Sequence, residues 1–145
     1  MDITWKFENF NKTIRIGRTP ERINGNKVDI ELGLSSGSNI KLGELLDAMC
    51  ARLTQLGIEL SYELDADGRL TAFTFDQKVG QKARLTQEGG FEPEKNQWIY
   101  KIKSNNLKKK NKSNKDVNGE KFKKFRNLEV EDGAKIVWKC LKIHQ

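Results

Sequence analysis

Lysines crowd one stretch of this chain. Between Lys101 and Arg126 stand Lys101, Lys103, Lys108, Lys109, Lys110, Lys112, Lys115, Lys121, Lys123, Lys124 and Arg126, eleven cations opposed only by Asp116 and Glu120. A Lys or Arg that meets a phosphate releases condensed counterion, so roughly 6–10 such contacts give an affinity that falls about 10³–10⁵-fold between 50 and 200 mM salt. Lysine outnumbers arginine here, which suits point-charge attraction to backbone phosphates over bidentate readout of guanine, so binding is expected to tolerate sequence. Phe122 and Phe125 lie among these charges, three positions apart. Two roles fit them: stacking on unpaired bases at roughly 1–3 kcal/mol each, or pinning the end of the segment into the core.

Other chemistries run short of residues. Metal-free phosphodiester cleavage needs a general acid and a general base that titrate near neutrality, and the sole imidazole is His144, beside the last residue of the sequence. A Ser-His-Asp or Cys-His nucleophile would need that same His144, and Cys50 lies in a helical apolar pattern. Cys50 and Cys140 offer no CxxC spacing for a tetrahedral metal shell and read as buried free thiols. Glu63, Asp65 and Asp67 form an acidic cluster that would hold Mg²⁺ in a nuclease. The same Asp-x-Asp-Gly run is also ordinary turn chemistry, and it lacks the closing Glu of a calcium loop. Gly17, Gly33 and Gly37 do not fall into a phosphate-binding glycine loop. No cofactor and no small-molecule substrate are expected.

The elements that must carry the lysines are legible from periodicity. In the first third, Ile3, Trp5 and Phe7 alternate, as do Ile14 and Ile16, then Val28, Ile30 and Leu32, with Asn24-Gly25-Asn26 as a turn. An antiparallel meander is the simplest arrangement. Leu42, Leu45, Leu46, Met49, Leu53 and Leu56 follow the spacing of an amphipathic helix over about 41–56, with Ser38 or Asn39 placed to cap it and Gly57 to end it. A hairpin follows, turning at Asp65-Ala66-Asp67-Gly68, and 77–96 reads as a polar loop with a short element near Ala83–Leu85. Trp98, Tyr100 and Ile102 alternate with lysines in the next strand.

The segment 104–126 is too poor in apolar groups to offset its own ordering entropy, and its asparagines and Gly119 argue against a helix, so a flexible basic insertion is expected. Leu128 and Val130, a turn at Glu131-Asp132-Gly133, and Ile136, Trp138 and Cys140 then read as a last hairpin whose second strand is apolar on both faces and therefore central. The expected fold is one α+β domain over 1–145, mainly an antiparallel sheet of about six to eight strands, with one principal helix and a lysine-rich insertion between late strands.

Length, composition and charge agree with this. The 145 residues suit a single core, and 36% hydrophobic with 32% charged residues excludes both a membrane-spanning and a wholly disordered chain. No apolar run reaches the roughly 20 residues of a membrane span, and no signal pattern opens the sequence, so a cytoplasmic protein without membrane contact is expected. Residues 1–76 carry a net charge of −3 and residues 77–145 a net charge of +10. Such asymmetry points to a polyanionic partner.

The stretch LLDAMCARLTQLGIELSYELDADGRLTAFTFD, Leu45–Asp76, resembles the segment that often follows the nuclease domain of plasmid mobilisation relaxases. In that family a helix and Gly-Ile precede a strand, a turn ending in Gly, and a GFSF-like strand; Gly57-Ile58, Asp67-Gly68 and Ala72-Phe73-Thr74-Phe75 occupy those places. About a fifth of the chain is covered. The catalytic Tyr and histidine cluster of that family are absent, so the resemblance implies an accessory DNA-associated module without nicking activity.

The leading expectation is a non-enzymatic nucleic-acid-binding accessory protein, of the kind found in mobile elements or phages, acting through the lysines on phosphate backbone. One alternative is a protein that inhibits a nucleic-acid-processing or defence complex by docking on an acidic surface of a nucleoprotein. Another is a Mg²⁺-dependent nuclease using Glu63, Asp65 and Asp67.

Overall fold

Strict alternation builds the first strands: β1 (Ile3–Phe7) buries Ile3, Trp5 and Phe7, and β2 (Lys12–Ile16) buries Ile14 and Ile16. Asn11, in the left-handed region at φ +52°, turns the chain between them. The computed structural model describes residues 1–35, 37, 39–76, 84–86, 92, 95–103, 112–114 and 119–142, and the side chains of all these except 76, 112–114 and 119–121.

The protein is α+β and mostly sheet. A seven-stranded sheet runs in the order β10 (Lys112–Asn114), β9 (Asn96–Lys103), β12 (Lys135–Lys142), β1, β2, β4 (Lys27–Ile30), β3 (Arg22–Asn24). It is mixed, which corrects the meander. β3 and β4 form their own hairpin around Gly25, and β3 takes the outer edge, so β4 reaches β2 running parallel to it. β1 is parallel to β12, and β12, central as its two apolar faces required, is antiparallel to β9 along its whole length. Past the end of β1, Asn9 Oδ1 accepts the Cys140 N–H at 2.8 Å, which satisfies a donor that the parallel partner no longer reaches.

One face of this sheet is covered. α1 (Leu42–Gln55) buries Leu42, Leu45, Leu46, Met49 and Leu53. A three-stranded antiparallel sheet adds Leu60 from β6 (Glu59–Leu64), Phe73 and Phe75 from β7 (Leu70–Asp76), and Leu85 from β8 (Arg84–Leu85). Phe73 touches the rings of Trp5, Phe7, Trp98 and Trp138, so the two sheets share one aromatic core. The β6–β7 hairpin turns through Gly68 at φ +80°, as the sequence requires.

Asn39 does not cap α1; the residue before the helix is Lys41, which makes no side-chain capping bond. The preceding residues form β5 (Ile40–Lys41), paired with β11 (Glu129–Val130), so the chain enters the helix straight from a strand and Leu42 N–H donates to Leu128 O at 2.8 Å. Ser38 lies outside the described residues. The same pairing corrects the last hairpin: β11 joins β5 and not β12. Gly57, at φ +82°, ends α1 as expected.

Neither cysteine is in a disulfide; Cys140 is buried and Cys50 half-buried on α1. Burial, with Asp47 nearby, pushes the Cys50 thiol up to about 11. Native Cys50 is therefore expected to resist alkylation at neutral pH, where the thiol stays protonated, and to react on unfolding. The unfolded chain releases this proton at a lower pH than the folded one. Its contribution to stability is thus whole below the ordinary thiol range and is lost as pH rises toward about 11; denaturant midpoints across that window, compared with Cys50→Ala, check it.

Candidate nucleic-acid interface

Period-two alternation sends every second residue of β9, β12 and β1 away from the core. With Trp98, Tyr100 and Ile102 buried, Ile99, Lys101 and Lys103 project from the other face; with Ile136, Trp138 and Cys140 buried, so do Lys135, Val137 and Lys139; with Trp5 and Phe7 buried, so does Lys6. No element covers this face among the described residues.

The register makes a cluster of them. Val137 stands between Lys6 on one side and Lys101 on the other, Lys135 lies directly opposite Lys103, and Lys139 lies opposite Ile99. Val137 is only 8% exposed although it points outward. The aliphatic stems of its lysine neighbours account for this, since long basic side chains cover apolar surface while their charged ends stay in water. The result is a depression of about 230 Å³ with Ile99 and Val137 at its floor and lysines around it.

Its charge is barely compensated. Lys139 Nζ is 3.2 Å from Glu8. Among the described residues, Lys6, Lys101, Lys103 and Lys135 have no carboxylate at ion-pair distance. On the neighbouring part of the same face Arg15 makes two hydrogen bonds to Asp29, at 2.6 and 2.8 Å, while Lys27 of β4 and Arg22 of β3, in register with them, are exposed. The lysines are densest around the depression over β9, β12 and β1, and further cations continue across the face to β3.

Comparison with known proteins finds no matching family model, no matching curated protein and no matching solved structure. The geometry alone must speak for the site.

The lysine-rich segment divides between two sides of the sheet. Lys101 and Lys103 are on the open face. Gly119–Asn127 forms α2, contrary to the expectation that Gly119 and the asparagines would prevent a helix and that the insertion would be flexible to residue 126. Nine residues make a marginal helix alone, and tertiary anchoring supplies what propensity lacks. Phe122 and Phe125 are that anchor. They are 2% and 0% exposed, with Phe122 against Tyr62 and Phe125 against Tyr100 and Trp138. Their role as base-stacking residues is thereby corrected, since neither ring reaches solvent.

α2 thus sits on the covered side. Lys123 and Lys124 are exposed there, and Arg126 is bound to Asp47 at 2.9 Å, which raises the guanidinium pKa. Lys112 falls on β10 opposite Ile102, and Lys121 on α2. Lys108, Lys109, Lys110 and Lys115 lie outside the described residues, as does His144.

Lys6, Lys135 and Lys139 were missed by sequence reasoning. The signal was present as lysines two and four apart in apolar strands, but without the pairing of β1 with β12 nothing joined Lys6 to the others. The acidic cluster has structural occupations: Glu63 binds Arg84 at 2.7 Å, and Asp65 Oδ1 accepts the N–H groups of Asp67 and Arg69. Among the described residues, no three His, Cys, Asp or Glu side chains gather as a metal shell, and no helix is long and apolar enough to cross a membrane.

Lys103 opposite Lys135 is a like-charge cross-strand pair, which is destabilising. Lys135→Glu is expected to replace it with an attractive pair, stabilising by up to about 1 kcal/mol and raising Tm by about 2–4 °C. Thermal unfolding at low salt checks this; the gain shrinks at high salt, where exposed charges are screened.

Proposed function

We propose that the protein is a non-enzymatic cytoplasmic accessory factor that binds the phosphate backbone of nucleic acid with little regard to sequence. The observation that carries this reading is the uncompensated cluster of Lys6, Lys101, Lys103 and Lys135 on an uncovered sheet face. A fold pays for like charges placed across from one another, and an anionic partner relieves that repulsion. β9 ends at Lys103, and the sequence that follows it holds Lys108, Lys109, Lys110, Lys112 and Lys115, further cations of the same run.

The resemblance of Leu45–Asp76 to the accessory part of mobilisation relaxases agrees with a role beside DNA in a mobile element or phage. The test is a salt series of affinities for oligonucleotides, with wild type against a variant in which Lys6, Lys101, Lys103 and Lys135 become alanine. A steep slope that flattens in the variant supports the reading. Absence of binding in dilute buffer, or tight salt-insensitive capture of an acidic protein instead, removes it.

A further inference from the structure

The chain's aromatic side chains are committed elsewhere. Of its three Trp, two Tyr and seven Phe, all but Phe91, which lies outside the described residues, are in the core or packed against it. A single strand draws much of its affinity from bases stacked on exposed rings, roughly 1–3 kcal/mol for each. The floor of the basic depression is aliphatic, and of the arginines on the same face Arg15 is held by Asp29 and Arg22 stands on the outermost strand, β3, away from the depression. What the face offers is charge at fixed spacing.

That spacing favours two phosphate rows. Lys101 and Lys103 stand on β9 and Lys6 on β1, with β12 between them, so the outer rows are about 9.6 Å apart at the backbone, two strand separations of about 4.8 Å. This lies between the widths of the minor and major grooves of B-form DNA, about 6 and 12 Å. Flexible lysine stems on both rows can then meet phosphates of both strands across one groove. A duplex also carries one charge per about 1.7 Å of axis, twice the density of either strand alone.

We infer that the β9–β12–β1 face is a docking surface for duplex nucleic acid, held through phosphates of both strands. This rests on the nucleic-acid reading above and narrows it. The test measures fluorescence anisotropy of a labelled mixed-sequence DNA duplex of about two helical turns and of one of its strands alone, at equal salt. Wild type is expected to bind the duplex at least about tenfold more tightly than the strand. Changing Lys101, Lys103 and Lys135 together to glutamine is expected to cost the duplex more affinity than the single strand, so that most of that difference disappears. Lys135→Glu, which keeps the fold at least as stable, is expected to lower duplex affinity in the same direction, so loss of binding is separated from unfolding. Equal or tighter binding of the single strand, or an equal loss on both probes, overturns the duplex inference and leaves phosphate binding standing. Failure of both probes to bind in dilute buffer overturns the two together.

Discussion

Phe125→Ala is expected to destabilise the protein by about 3–5 kcal/mol, the range for truncating a buried aromatic side chain. Phe125 has no solvent exposure and lies 4.7 Å from the ring of Trp138, 4.8 Å from Tyr100 and 6.0 Å from Trp5, measured between centroids. Domains of this kind are stable by only about 5–15 kcal/mol, so the loss is a large part of the total. It should appear as a fall in Tm on the order of 10 °C and as early exchange of the α2 amides, because that helix is too short to persist without its anchor. The result also decides between the two roles open to this residue in the sequence. A base-stacking ring would leave Tm unchanged and cost affinity; a core ring does the reverse, and Phe125→Leu, which refills most of the volume, recovers most of the stability.

The second large effect is electrostatic. If Lys6, Lys101, Lys103 and Lys135 each neutralise one duplex phosphate, the face contributes a slope of about −3.6 to log K against log salt, and about a hundredfold of affinity is lost between 50 and 200 mM. The variant with all four as alanine is expected to lose that part of the slope and keep whatever the cations beyond β9 supply. An unchanged slope places the contacts elsewhere. Circular dichroism and the Tm of the variant guard against misreading an unfolded protein, since alanine removes the Lys103–Lys135 repulsion and also the stems that cover Val137.

How much of this could be read in advance depended on the range of the interaction. Leu42 to Leu53 announced a helix because spacing within one element is a local property, and the Asp65–Gly68 turn was legible for the same reason. The cap of α1 was not, because its donor meets Leu128, 86 positions away in sequence. Phe122 and Phe125 show the same limit. Their neighbours are lysines, which argue for a solvated segment, whereas the rings that bury them come from β1, β6, β9 and β12. The interface was half visible: Lys101 and Lys103 stood out within a charged run, while Lys6 and Lys135 stood alone until parallel pairing placed their strands side by side.

The placement of β12 also bears on how the molecule is made. Synthesised last among the described strands, it inserts between β9 and β1 and pairs with both. Until it leaves the ribosome, those two strands have nothing between them, and the indoles of Trp5 and Trp98 lack the wall that Trp138 provides. Contacts between segments far apart in sequence slow folding and keep apolar edges open to wrong partners in the meantime. A nascent chain stalled before residue 135 should therefore be a client for chaperones, because β9 and β1 are joined in one sheet only through β12.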